Sequence, residues 1–164
     1  MENDYNAYDS QTLACLAGFE SLWQRVADKA PEKRPAEENR LLDFFREESC
    51  AASFYAGLAR LFQNPGRGQL AARAAEAQRR ARRLRAEYFI LTGLSCDSPR
   101  DCPSAGGKLV SLRTALETER RLARAYALAA ESASCTVLKE LYQDYARESA
   151  LCAEANRALL LDCF

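Results

Sequence analysis

Histidine is absent from all 164 residues of the chain. That absence removes the imidazole base of Ser-His and Cys-His nucleophile pairs. It also removes the nitrogen ligand of a standard glutamate/histidine di-metal site. Glycine and proline are scarce, at seven and five residues, and no glycine-rich phosphate loop occurs. An excess of either charge is missing too: 23 basic residues balance 23 acidic ones, so no overall field steers the molecule toward nucleic acid or an anionic membrane. No apolar run approaches the ~20 residues that span a bilayer. Met1-Glu2-Asn3-Asp4 has neither the basic nor the apolar region of a signal peptide. These features predict a cytoplasmic protein, where thiols stay reduced. Seven cysteines cannot all pair within one chain, and most are expected to serve as small buried hydrophobes.

What is present is helix-forming material. Alanine, leucine, arginine and glutamate dominate, and these side chains lose little rotamer freedom in a helix. Ser10 can cap an N-terminal helix over residues 10–29, with Leu13, Leu16, Ala17, Leu22, Trp23 and Val26 at helical spacing. Pro35 opens a second helix with Glu37 and Glu38 in its first turn. Its stripe is Leu41, Phe45, Ala52, Tyr55, Ala59 and Phe62, with Glu48 filling the gap, and it stops at Asn64-Pro65-Gly66. A third helix spans 69–92 and ends on Gly93. A loop containing Pro99, Pro103 and Gly106-Gly107 leads to a fourth, striped by Leu109, Leu112, Leu116, Ala123, Tyr126 and Ala130. The last begins after Ser132–Ser134 and carries Leu138, Leu141, Tyr145, Cys152 and Leu159 inward. The pattern predicts an all-α four-helix bundle over residues 36–164, preceded by a helix and linker over residues 1–35, in a single domain. A chain of this length buries roughly 70% of its unfolded surface.

The two halves echo each other. Glu48 lies seven residues before Tyr55, and Glu119 seven before Tyr126. Seven residues is close to two helical turns, so each pair shares the core-facing stripe. A carboxylate on a buried stripe is expensive unless it is paired or binds metal, and two at matching positions imply a shared site.

The segments Leu42-Asp43-Phe44-Phe45-Arg46-Glu47-Glu48-Ser49-Cys50-Ala51-Ala52-Ser53-Phe54-Tyr55 and Ala81-Arg82-Arg83-Leu84-Arg85-Ala86-Glu87-Tyr88-Phe89-Ile90-Leu91-Thr92-Gly93, with Glu119 and Tyr126, resemble the rubrerythrin-like branch of the ferritin-like superfamily over residues 37–161. The resemblance implies an antiparallel ferritin-like bundle in which one helix of each pair gives a Glu and its partner Glu-x-x-His, together holding a di-iron centre. Glu48 and Glu119 match the single-Glu positions. The other two motifs fall on Ala77-Gln78-Arg79-Arg80 and Ser149-Ala150-Leu151-Cys152, which lack both glutamates and both histidines. A register shifted by one brings Glu76 or Glu148 near the site, still without histidine. The vestigial site is thus Glu48, Ala77, Arg80, Glu119, Ser149 and Cys152, flanked by Tyr55 and Tyr126. Two carboxylates remain where six ligands are expected, so no di-iron or di-manganese cofactor is expected to load.

Arg80 occupies a former histidine position. Its guanidinium either reaches Glu48 and Glu119, supplying the charge metals once gave, or points outward with its arginine neighbours. Cys152 is either packing or, with Cys50, a soft metal ligand. Cys96 and Cys102 are unpaired loop thiols, a disulfide, or half a metal clip. The run Arg79-Arg80-Ala81-Arg82-Arg83-Leu84-Arg85 is a phosphate-binding face or a helix face paired with Glu76 and Glu87; with zero net charge, nucleic-acid binding is not the favoured reading. The favoured function is a non-catalytic structural or interaction protein, dimerising with help from Phe19 and Trp23. The alternative is a metal-binding oxidoreductase or iron-handling protein using Glu48, Glu119 and Cys152.

Overall fold

The computed structural model describes residues 35–164. The expected N-terminal helix, with Phe19 and Trp23, lies outside the described residues. Those residues are all-helical: α1 is Pro35–Ala59, α2 Gly66–Thr92, α3 Lys108–Glu131 and α4 Thr136–Leu161.

Several boundaries have a local cause. Pro35 opens α1, with Glu37 and Glu38 against the positive end of its dipole. Gly66 starts α2 three residues earlier than the sequence reading, packed so closely on Phe62 that a Cβ would meet its ring at 3.1 Å. Gly93 closes α2 in the left-handed region (φ 71°), its N–H donating to the Phe89 carbonyl, a conformation glycine adopts without penalty. Before α3, Ser111 Oγ accepts the Gly106 N–H at 3.0 Å.

α1 packs along α2, and α3 along α4. The two hairpins meet through α1 on α3, where Arg40 reaches Ala129, Glu47 reaches Arg121 and Tyr55 reaches Glu119. They also meet through α2 on α4, where Arg73 reaches Asn156 and Arg79 reaches Glu148. These pairings make every packed neighbour antiparallel and leave α2 and α3 running in the same direction. Residues 93–107 must therefore return along the bundle from the end of α2 to the start of α3.

The core divides into two apolar clusters. One holds Leu41, Phe44, Phe45, Leu84, Leu122, Tyr126 and Tyr142; the other holds Ala52, Tyr55, Leu58, Phe62, Leu70, Leu112 and Leu159. Glu48, Arg80, Glu119 and Ser149, all buried, lie between them in sequence on every helix. The α1 stripe is buried as the periodicity predicts. On α3, Leu109 is instead 41% exposed and Leu122 is fully buried, because Leu109 lies in the first turn, where the bundle ends. On α4, Tyr142 takes the fully buried place expected of Leu141. None of the described helices is long and apolar enough to cross a membrane.

The cysteines correct the sequence reading. Cys50 is bonded to Cys102, with Cα atoms 4.9 Å apart, while Cys96 stays unpaired. The return path of residues 93–107 lays Cys102 against the middle of α1, a juxtaposition no local pattern encodes. Cys50 is thereby removed as a partner for Cys152 in any soft metal site.

Candidate functional site

Besides Ala81, α2 buries Gly66, Leu70, Arg73, Ala77, Arg80, Leu84 and Glu87, which alternate three- and four-residue steps and so share one face. Three of those seven are charged. An isolated buried charge carries a desolvation penalty of several kcal/mol, so the partners decide whether the face is tenable.

Arg80, 1% exposed, is the centre of those partners. Its Nε lies 3.0 Å from Glu48 Oε1 and its Nη2 3.8 Å from Glu119 Oε1. Its Nη1 points toward the rim, 3.6 Å from Glu148 Oε2, which also pairs with Arg79. Of the two readings of Arg80, the structure adopts the inward one. The contact with Glu48 is an ion pair rather than an aligned hydrogen bond, since the Nε–H has no hydrogen-bond acceptor in line.

Two tyrosines complete the layer in a crossed pattern. Tyr126 O–H donates to Glu48 Oε1 at 2.8 Å, and Tyr55 O–H to Glu119 Oε1 at 2.9 Å. Each tyrosine follows the glutamate of its own helix by two turns and bonds the glutamate of the other. The chain extends further on one side: Asn156 Nδ2 donates to Tyr55 Oη at 2.7 Å, and Arg73 donates to Asn156 Oδ1. Arg73 and Asn156 escaped the sequence reading, though a signal existed. Arg73 precedes Arg80 by seven residues and Asn156 follows Ser149 by seven, so both fall on core stripes.

The electrostatics follow from burial. Glu48 is pushed up to about 7, because desolvation outweighs the nearby Arg80 and the Tyr126 hydrogen bond. Glu119 is raised for the same reason, opposed by Arg80 and Tyr55. Burial disfavours the charged form of Arg80, but Glu48 and Glu119 more than reverse that effect and raise its pKa, keeping the guanidinium charged. The Tyr55 and Tyr126 hydroxyls are held well above their ordinary range, first by burial and then by the carboxylates they bond. They are donors, not phenolates.

All six positions that the resemblance marks are buried: Glu48, Ala77, Arg80, Glu119, Ser149 and Cys152. They do not fit the di-iron group that the resemblance implies. Glu48 Oε2 and Glu119 Oε2 lack hydrogen-bond partners and are acceptors that a cation would use. Against this, a charged guanidinium lies within ion-pair distance of both carboxylates, and Ala77 contributes no donor. Among the described residues, no group of three or more His, Cys, Asp or Glu side chains is placed to hold a metal. Burial pushes the Cys152 thiol up to about 11, so the protein by itself holds this sulfur protonated. Glu76, the shifted-register alternative, is a half-buried rim residue 3.9 Å from Cys152 Sγ.

The arginine run is dispersed by the fold. Arg80 is inside, Arg79 pairs with Glu148, Arg83 with Glu87, and Arg85 donates to Ser95. A second polar anchor, missed in the sequence, lies where α1 begins. Glu37 accepts the Tyr142 hydroxyl at 2.9 Å and the Ser134 N–H at 3.3 Å, fixing the α3–α4 turn against α1. The chain matches no family model and no curated protein.

Proposed function

We propose that this chain is a ferritin-like bundle of the rubrerythrin-like kind in which an arginine has replaced the di-metal centre, and that it serves a non-catalytic structural or interaction role as a homodimer. The observation that carries the reading is the Arg80 guanidinium between Glu48 and Glu119. Those carboxylates sit where the resemblance puts metal ligands, and a fixed internal cation supplies positive charge there. The single long connection between parallel α2 and α3 also supports it, being the connectivity that ferritin-like bundles use. An internal arginine cannot change oxidation state or open a coordination position, so the layer holds helices together and offers no redox chemistry.

Elemental analysis of protein purified without oxygen tests this. The expected result is no stoichiometric iron, manganese or zinc. A stoichiometric metal that disappears in Glu48→Ala and Glu119→Ala would instead support a metal-handling protein using Glu48, Glu119 and Cys152. The free Oε2 atoms of the two glutamates are the observation favouring that second reading.

A further inference from the structure

Residues 93–107 run the length of the bundle from α2 to α3 with little to hold them. Among the described residues, no backbone–backbone hydrogen bond involves residues 94–106. Their attachments are few. Leu94 N–H donates to Thr92, Ser95 accepts from Arg85, Cys96 packs beside the first apolar cluster, Ala105 rests on Gly57 with its Cβ 3.5 Å from where a Gly57 Cβ would stand, and Gly106 N–H donates to Ser111. Between Cys96 and Ala105 the segment's covalent tie to the bundle is the Cys50–Cys102 disulfide.

That tie stands at the edge of a cavity of about 700 Å³ between α1 and α3. Phe44, Phe54, Tyr55 and Leu122 form its apolar floor, and Pro99, Asp101 and Pro103 of the segment contribute to its wall. Cys50 itself lines it. Both bonded cysteines are partly exposed, so a reductant can reach them.

We propose that the Cys50–Cys102 disulfide is a redox-controlled strap that sets access to this cavity, independently of the ferritin-like reading above. A dithiol supplies the two electrons. One of its thiolates attacks a sulfur of the pair, forming a mixed disulfide and releasing the other cysteine as a thiolate that takes up a proton. The second dithiol sulfur then displaces the first cysteine, also protonated, leaving the dithiol oxidised and Cys50 and Cys102 as two thiols. With the tie cut, residues 97–104 keep no hydrogen bond to α1 and leave the apolar floor open to water. The strap state then follows the redox poise of the compartment, closed when oxidising and open when reducing.

Trypsin cleavage after the exposed Arg100 reports the strap directly, because proteolysis follows the population of the open form. The rate is measured on air-oxidised wild type, on wild type in dithiothreitol, and on Cys50→Ser in both conditions. Helical circular dichroism verifies that each sample is folded. We expect oxidised wild type to be cut at least about tenfold more slowly than reduced wild type. Cys50→Ser should be cut at the reduced rate with or without dithiothreitol, which excludes effects through other thiols. Binding of an apolar fluorescent dye should rise in parallel. If Cys50→Ser proves unfolded, Cys102→Ser, which places the change on the segment itself, serves instead. Equal cleavage of the oxidised and reduced wild type overturns the proposal. So does a peptide map of the air-oxidised protein without a Cys50–Cys102 cross-link.

Discussion

Tyr126 O–H donates a hydrogen bond to Glu48, 78 residues earlier in the chain and 2.8 Å away. Tyr55 makes the matching bond to Glu119. The crossed pair ties each helical hairpin to the other at the level of the buried charges. A hydrogen bond to a charged acceptor contributes about 1.5–3 kcal/mol. Tyr126→Phe and Tyr55→Phe should therefore each lose about that much unfolding free energy in urea. Losses below about 0.5 kcal/mol in both would show that the bonds are incidental.

Breaking the ion layer and replacing it are different experiments. Arg80→Met combined with Glu48→Gln and Glu119→Gln removes all three charges while keeping acceptors for both tyrosines. Buried ion groups replaced by neutral packing are often no less stable. The triple variant should unfold at wild-type free energy or up to about 4 kcal/mol above it. A triple variant as weak as one lacking Arg80 alone would show that the arginine acts through packing.

The pH dependence has a definite sign. The Glu48 carboxyl titrates at about 7 in the folded protein against an ordinary 4.5. The folded state thus holds this proton more tightly than the unfolded state. Its contribution is full below pH 4.5 and is lost as pH rises through 7, by about 3 kcal/mol at most. Glu119, also raised, acts in the same direction. Unfolding free energies of wild type and Glu48→Gln across this window provide the measurement: the variant should lack this fall, and identical slopes would refute it.

Glu37 anchors the end of the bundle where α1 begins. Removing its carboxylate in Glu37→Ala leaves the fully buried Tyr142 hydroxyl without its acceptor, at a cost of about 1–3 kcal/mol. Hydrogen exchange should quicken at Ser134, whose N–H also bonds Glu37, and unchanged exchange there would argue that the turn is held by other contacts.

The apolar stripes of α1 and the matched Glu/Tyr spacing were legible because helical periodicity alone places them inside. α2 was harder to read: Arg73, Arg80 and Glu87 alternate with Leu and Ala on its buried face, so hydrophobicity does not mark that face. Arg80 is marked only by the family resemblance, which puts a histidine of the Glu-x-x-His motif at its position. Arg73 and Asn156 occupy stripes that heptad counting reaches, but their polarity argued for the surface. The Cys50–Cys102 pairing depends on where a 15-residue return path crosses α1, and chain-local physics does not fix that crossing.

The most direct test of Arg80 as the counter-ion of the buried Glu48 and Glu119 is the unfolding free energy of Arg80→Ala at neutral pH, measured by urea denaturation beside wild type. Deleting one member of a buried ion group leaves the others uncompensated, so the variant should lose about 3–5 kcal/mol. A folded variant with an unchanged denaturation midpoint would contradict the account.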